Sequence, residues 1–243
     1  MNPASTTEFN SSWVINGYLS VGKSSMLKTI RSQLATWMVL KQNADIDDVV
    51  KTYHSSMADW HVRGINLLSQ MQEALTTNKP SPWVVRMQIA AITNYLSQDL
   101  LILRESGQHL CLQERDVDSI LQVFLPFFKN RGLLTAADYN MLRGLAITTQ
   151  GVNVELMKTK KQIFLYADKN LCFDRFCQKN RFSEKLMSRH DFNELCLALD
   201  FQKHMAQHEI DTSYLRPAEV AKRVSDILQM EYYPSRIFES EQK

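Results

Sequence analysis

Glycine is the residue whose scarcity most narrows the folds open to this chain. There are 7 among 243 residues, about 3 % against a usual ~7 %, and none follows Gly151. Glycine reaches positive φ without strain, so tight turns and close loop crossings consume it. Helical bundles need less of it than sheet folds do. The shortage, together with only 6 prolines, predicts an all-α protein: an irregular bundle of about eight helices, forming one compact domain or two helical subdomains.

Hydrophobic spacing supports helices along most of the chain. Leu27, Ile30, Leu34, Trp37 and Met38 recur at intervals of three and four, the signature of one apolar helix face. A second amphipathic stretch runs from Ile46 to Leu75, with a bend expected at Gly64. Ser81-Pro82 reads as a serine N-cap followed by proline in the first turn. The segment after it, WVVRMQIAAITNYLSQDLLIL, is apolar around most of its circumference and suits a central buried helix. RESGQHLCLQE is read as its end. Pro126 predicts a kink or an early stop. Thr135 to Asp138 resembles a capping box. Ser188 and Asp191 offer caps for the segment from Phe192. Arg216-Pro217 opens a last helix. Residues 162–166, QIFLY, read equally as helix or short strand.

The N-terminus is polar and lacks the apolar core of a secretory signal. No apolar run approaches the roughly 18 residues that a membrane span requires. Cys111, Cys172, Cys177 and Cys196 are scattered, as expected for reduced thiols in a cytoplasmic protein. Four segments follow from composition: a flexible polar stretch 1–20, an N-terminal bundle 21–150, a C-terminal helical region 151–232 with a basic face, and a tail 233–243.

One short string points elsewhere. Gly17-x-x-x-x-Gly22-Lys23-Ser24 fits the phosphate-cradling loop pattern, in which backbone amides at a helix N-terminus hold phosphates and the lysine reaches the terminal ones. That chemistry needs a buried strand before the turn, further parallel strands beside it and an acidic partner. Only Trp13-Val14-Ile15 precede the turn. The one apolar run ending in aspartate, Leu195 to Asp200, has helical spacing. Gly17, Gly22, Lys23 and Ser24 are therefore kept as a candidate nucleotide site, against the simpler reading of a turn leading into a helix.

Charge is segregated. Residues 158–189 carry nine basic and three acidic side chains, whereas 190–243 carry six and ten. Lys158, Lys160, Lys161, Lys169, Arg175, Lys179, Arg181, Lys185 and Arg189 are interleaved with Phe164, Tyr166, Phe173, Phe176 and Phe182, a combination that suits nucleic acid or an acidic protein. The plainer alternative puts the aromatics in the core and the cations in solvent. Cys172, Cys177, His190, Cys196, His204 and His208 include no compact zinc pair. No catalytic residue, metal ligand or cofactor is expected. The resulting functional expectation is a non-enzymatic adaptor, assembly or regulatory protein with a protein partner. A nucleic-acid-binding regulator is the first alternative and a nucleotide-binding protein the second. The oligomeric state is not legible.

Overall fold

The structure, a computed structural model, describes residues 12–42, 50–54, 60–62, 64–106, 109–152, 160–178 and 187–232. Its centre is a sheet, and this corrects the all-α expectation. Five strands, β1 (Ser12–Gly17), β2 (Val50–Tyr53), β5 (Leu110–Glu114), β6 (Lys161–Tyr166) and β7 (His208–Asp211), lie in the order β2-β5-β1-β6-β7. Every pairing in it is parallel. A separate two-stranded ribbon, β3 (His61–Val62) and β4 (Ile65–Asn66), interrupts what the spacing suggested was one long helix.

Glycine scarcity misled because parallel strands are joined by helical crossovers rather than tight turns. The crossovers here are α1 (Lys23–Gln42) from β1 to β2, and α2 (Leu67–Thr77) with α3 (Pro82–Glu105) from β2 to β5. From β5 to β6 run α4 (Val117–Ser119), a π-turn (Ile120–Phe124), α5 (Leu125–Asn130) and α6 (Ala136–Val152). Helices α7 (Lys169–Gln178) and α8 (Arg189–Met205) join β6 to β7, and α9 (Pro217–Tyr232) follows. Among the described residues no helix is long and apolar enough to cross a membrane.

Crossover handedness sorts the layers. The connection from β1 to β2 moves one way across the sheet; those from β2 to β5, β5 to β6 and β6 to β7 move the other way. Right-handed crossovers then put α1 on one face and α3, α4–α6 and α8 on the other. Helix α9 packs on α1. Between the C-terminal ends of β1 and β5 the two chains therefore leave toward opposite faces. Such a switch point leaves a crevice in which open α/β sheets bind ligands.

β1 is central and buried along its whole length, although the sequence placed it inside a flexible polar segment. β6, from beyond the expected boundary near residue 150, pairs with it directly, Gly17 opposite Leu165. Leu27, Ile30 and Leu34 of α1 are fully buried, as their spacing foretold; the side chains of Trp37 and Met38 lie outside the described residues. Ser81 caps α3, its hydroxyl accepting from the Trp83 amide. Thr135 and Asp138 exchange capping-box bonds at the start of α6. Pro126 sits just inside α5, where the π-turn has already widened the helix.

Candidate functional site

β1 delivers the chain to the phosphate-loop string at the C-terminal edge of the sheet. At Gly17 φ is +149°, and a Cβ there would stand 2.2 Å from the Leu165 carbonyl oxygen of β6. Only glycine lets the backbone pass so close to its neighbouring strand. Ser20 (φ 57°) and Gly22 (φ 102°) turn the chain back toward α1. Its first intrahelical bond runs from the Met26 amide to the Gly22 carbonyl, 2.9 Å. A helix start leaves its first N–H groups without helical carbonyl partners, and the macrodipole adds partial positive charge there. No acidic side chain occupies the first turn of α1.

Lys23 folds back under this turn. It is buried, and its Nζ donates to the carbonyls of Tyr18 (2.8 Å) and Gly17 (3.3 Å). Ser24 Oγ donates to the carboxylate of Glu114, at 2.9 and 3.1 Å from its two oxygens. Glu114 ends β5, beside β1, with Ile15 opposite it. This is the strand-end acid that the sequence search did not find, because LCLQE reads as the tail of the preceding helix. Burial pushes the Glu114 carboxyl upward; His54, Lys23, Ser24 and Arg115 outweigh that and hold it below the usual carboxylate range. His54, just past β2, has its Nδ1 3.9 Å from Glu114.

Arg115 follows with a positive φ of 60°, unusual for a bulky side chain and a mark of local strain. It is buried; Nη2 donates to the Gly17 carbonyl (2.9 Å), the guanidinium lies 5.4 Å from the Phe124 ring centroid, and Nη1 has no hydrogen-bond partner among the described residues. Two cations thus converge on the backbone of one loop. An anion entering the loop gives both a better acceptor than a carbonyl.

A space flanks this point. A cleft of about 350 Å³ is lined by Ser20, Val21, Gly22, Arg175, Leu215 and Pro217 among others. On the opposite side, Gln98 of α3 donates to the His54 carbonyl at the strand edge (3.1 Å). At 1.5 Å per residue, Gln88 lies about 15 Å further along the helix, beyond that edge. Gln88 and Gln72 of α2 are buried, and their Oε1 atoms lack hydrogen-bond partners among the described residues. Buried acceptors of this kind call for a donor from a ligand or water.

The described cations of the basic stretch do not share one face. Lys160 is buried against Asp99 (2.6 Å) and Gln113 (3.0 Å). Lys161 pairs with Glu231 and Lys169 with Asp200. Arg175 points to the carbonyls of Thr212 and Ser213, at 3.5 Å each. Arg189 donates to Asn170 and lies over Phe173. Lys158, Lys179, Arg181 and Lys185 lie outside the described residues, as does Phe182. Phe164 and Phe176 are core, and Phe173, Phe176 and Phe192 form one ring cluster. Asp200 is on α8, as its spacing indicated, and not at a strand end.

Comparison with known proteins agrees with this geometry. Residues 13–198 match the family model described as deoxynucleoside kinase. Two solved structures share the fold. One, of a deoxyadenosine kinase from M. mycoides with bound dCTP, has a TM-score of 0.58 at 13 % identity, covering 91 % of this chain and 99 % of that one. The other, of a deoxyadenosine kinase from M. mycoides with products dCMP and a flexible dCDP, has a TM-score of 0.52 at 14 % identity, covering 91 % and 98 %. No curated protein matches in sequence. The family match overturns the expectation of a non-enzymatic adaptor or regulator, and with it the leaning against an enzyme.

Proposed function

Because the chain belongs to the deoxynucleoside kinase family, we propose that it transfers the γ-phosphoryl group of a nucleoside triphosphate to the 5′-hydroxyl of a deoxynucleoside. The observation that carries this reading is the meeting of three features at one crevice: the Gly17–Gly22 turn, the buried Lys23 beneath it, and the Glu114 carboxylate bonded to Ser24.

Phosphoryl transfer asks the protein mainly for positioning and charge stabilisation. In this reading the amides at the start of α1 hold the donor's phosphates. Lys23 exchanges its two carbonyl acceptors for phosphate oxygens. Arg115, on the other side of the Gly17 carbonyl, turns its Nη1 toward charge that develops on the moving group. The donor's base and ribose occupy the cleft lined by Arg175, Leu215 and Pro217. The acceptor's base lies under the overhang of α3, where Gln72 and Gln88 find the donors they lack.

Kinases of this type use Mg²⁺. Ser24 and Glu114 are oxygen donors of the kind this hard cation takes, few in number and paired with substrate phosphates; their direct hydrogen bond brings them to one point, so the residues fit the ion. When bound, Mg²⁺ neutralises charge on the β- and γ-phosphate oxygens.

The test is phosphate transfer from ATP to each of the four common deoxynucleosides, with a thermal-shift titration of ATP alongside. Wild type gains stability with ATP and phosphorylates at least one acceptor; Lys23→Ala does neither. Absence of transfer to all four by a folded wild-type protein sinks the proposal.

A further inference from the structure

Asp200 joins two parts of the molecule that the chemistry above treats separately. It lies on α8, half-buried. One carboxylate oxygen accepts from the Tyr18 hydroxyl, the other from Lys169 Nζ at 2.8 Å. Tyr18 is the first residue of the phosphate loop after Gly17, and its carbonyl is the nearer acceptor of Lys23. Lys169 is the first residue of α7, the helix that carries Arg175 to the donor cleft.

The tyrosine is built into its place. Its ring is buried and packs edge-on against Phe164 of β6, centroids 5.6 Å apart. The Lys169 ammonium lies 5.5 Å from the same ring, within cation–π range. The Tyr18 amide donates to Leu165, 3.2 Å away. Burial and the neighbouring Asp200 push the phenol well above its ordinary pKa, so it stays a hydroxyl donor. Nothing in the phosphate-loop pattern requires tyrosine here, because the positions between its glycines are free.

We propose that Tyr18, Asp200 and Lys169 form a positioning triad that fixes the phosphate loop relative to α7, so that Lys23 and Arg175 meet the same donor nucleotide. This rests on the kinase reading above and goes beyond it by assigning roles to residues that touch neither substrate. Removing one link leaves both elements folded but sets their spacing adrift. Donor binding then loses its pre-organisation, while the acceptor pocket, on the far side of the switch point, is untouched.

The variants are Tyr18→Phe, Lys169→Met and Asp200→Asn. Each is assayed for ATP affinity by calorimetry, for KM of ATP and of the acceptor, for kcat and for melting temperature. Expected for Tyr18→Phe and Lys169→Met is a rise in Kd and KM for ATP on the order of tenfold, with the acceptor's KM within about twofold of wild type. The double variant should be no weaker than the poorer single variant, because both remove one shared element. Unchanged ATP affinity, equal rises in both KM values, or effects that multiply in the double variant would overturn the proposal. Should Asp200→Asn fail to fold, the two milder variants decide. If wild type binds ATP but phosphorylates no deoxynucleoside, the kinase reading fails, and the calorimetric comparison still judges the triad. If wild type binds no ATP, both fall.

Discussion

At Gly17 the backbone passes so close to β6 that any side chain collides with the Leu165 carbonyl. Gly17→Ala should therefore cost about 1–3 kcal/mol in strain, seen as a melting temperature lower by about 3–10 °C, together with loss of ATP binding. Gly144, inside α6 with open space around it, is the control: Gly144→Ala should raise the melting temperature by a few degrees, since helical glycine costs about 0.5–1 kcal/mol relative to alanine. The thiols separate in the same local way. Burial pushes Cys111 and Cys172 up to about 11 and Cys196 up to about 12, whereas Cys177 is exposed. A thiol of raised pKa stays protonated and unreactive below that value. A thiol reagent at pH 8 should therefore modify Cys177 alone in the native protein and all four cysteines after denaturation; moving to pH 9 should not recruit the three buried thiols. At this scale the sequence was informative where spacing alone sets local geometry, as in the turn at Gly22 that leads into α1. It was silent where a partner arrives from elsewhere in the chain. Glu114 and Arg115 stand 90 residues or more from Ser24 and Gly17, and no local pattern announces that.

Helix starts were the most legible elements, because a cap is a contract between residues three apart: Ser188 accepts from the Asp191 amide at 3.0 Å, as Thr135 does from Asp138 at 3.1 Å. The strands were the least legible. A parallel strand buried on both faces shows no alternation, and five residues such as LCLQE are too short to distinguish from the end of a helix. What joins the elements is also non-local. Lys160, just before β6, is tied to Asp99 of α3 and Gln113 of β5 in a nearly dry setting. Lys160→Met leaves that carboxylate buried without its ammonium, a loss of about 3–5 kcal/mol and a melting temperature lower by about 10 °C. Adding Asp99→Leu should recover much of it, since replacing both ions costs less than stranding one. A double variant as unstable as the single one would show that Lys160 matters for packing and not for charge.

The whole molecule is organised by a sheet that ignores the order of the chain. Its central strand comes from residues 12–17, its neighbours from 110–114 and 161–166. A split into bundles 21–150 and 151–232, suggested by composition, therefore cuts between strands of one layer. A fragment of residues 1–150 would retain β1, β2 and β5 but leave one edge of β1 without β6. It should show poorly dispersed amide resonances and no cooperative melting, whereas the full chain melts in one transition. Charge that is segregated in sequence is partly paired in space: among the described cations, Lys160, Lys161 and Lys169 each meet an acidic side chain. The order of the strands carries a further consequence, in time. β1 leaves the ribosome first, yet roughly ninety residues separate it from β5 and more from β6. At ordinary translation rates the nascent chain waits on the order of 5–20 seconds for its first partner on either edge. Through that interval Trp13, Val14 and Ile15 present an unpaired apolar strand, so the yield of soluble protein should depend on translation speed and on chaperone supply more than on the stability of the finished fold.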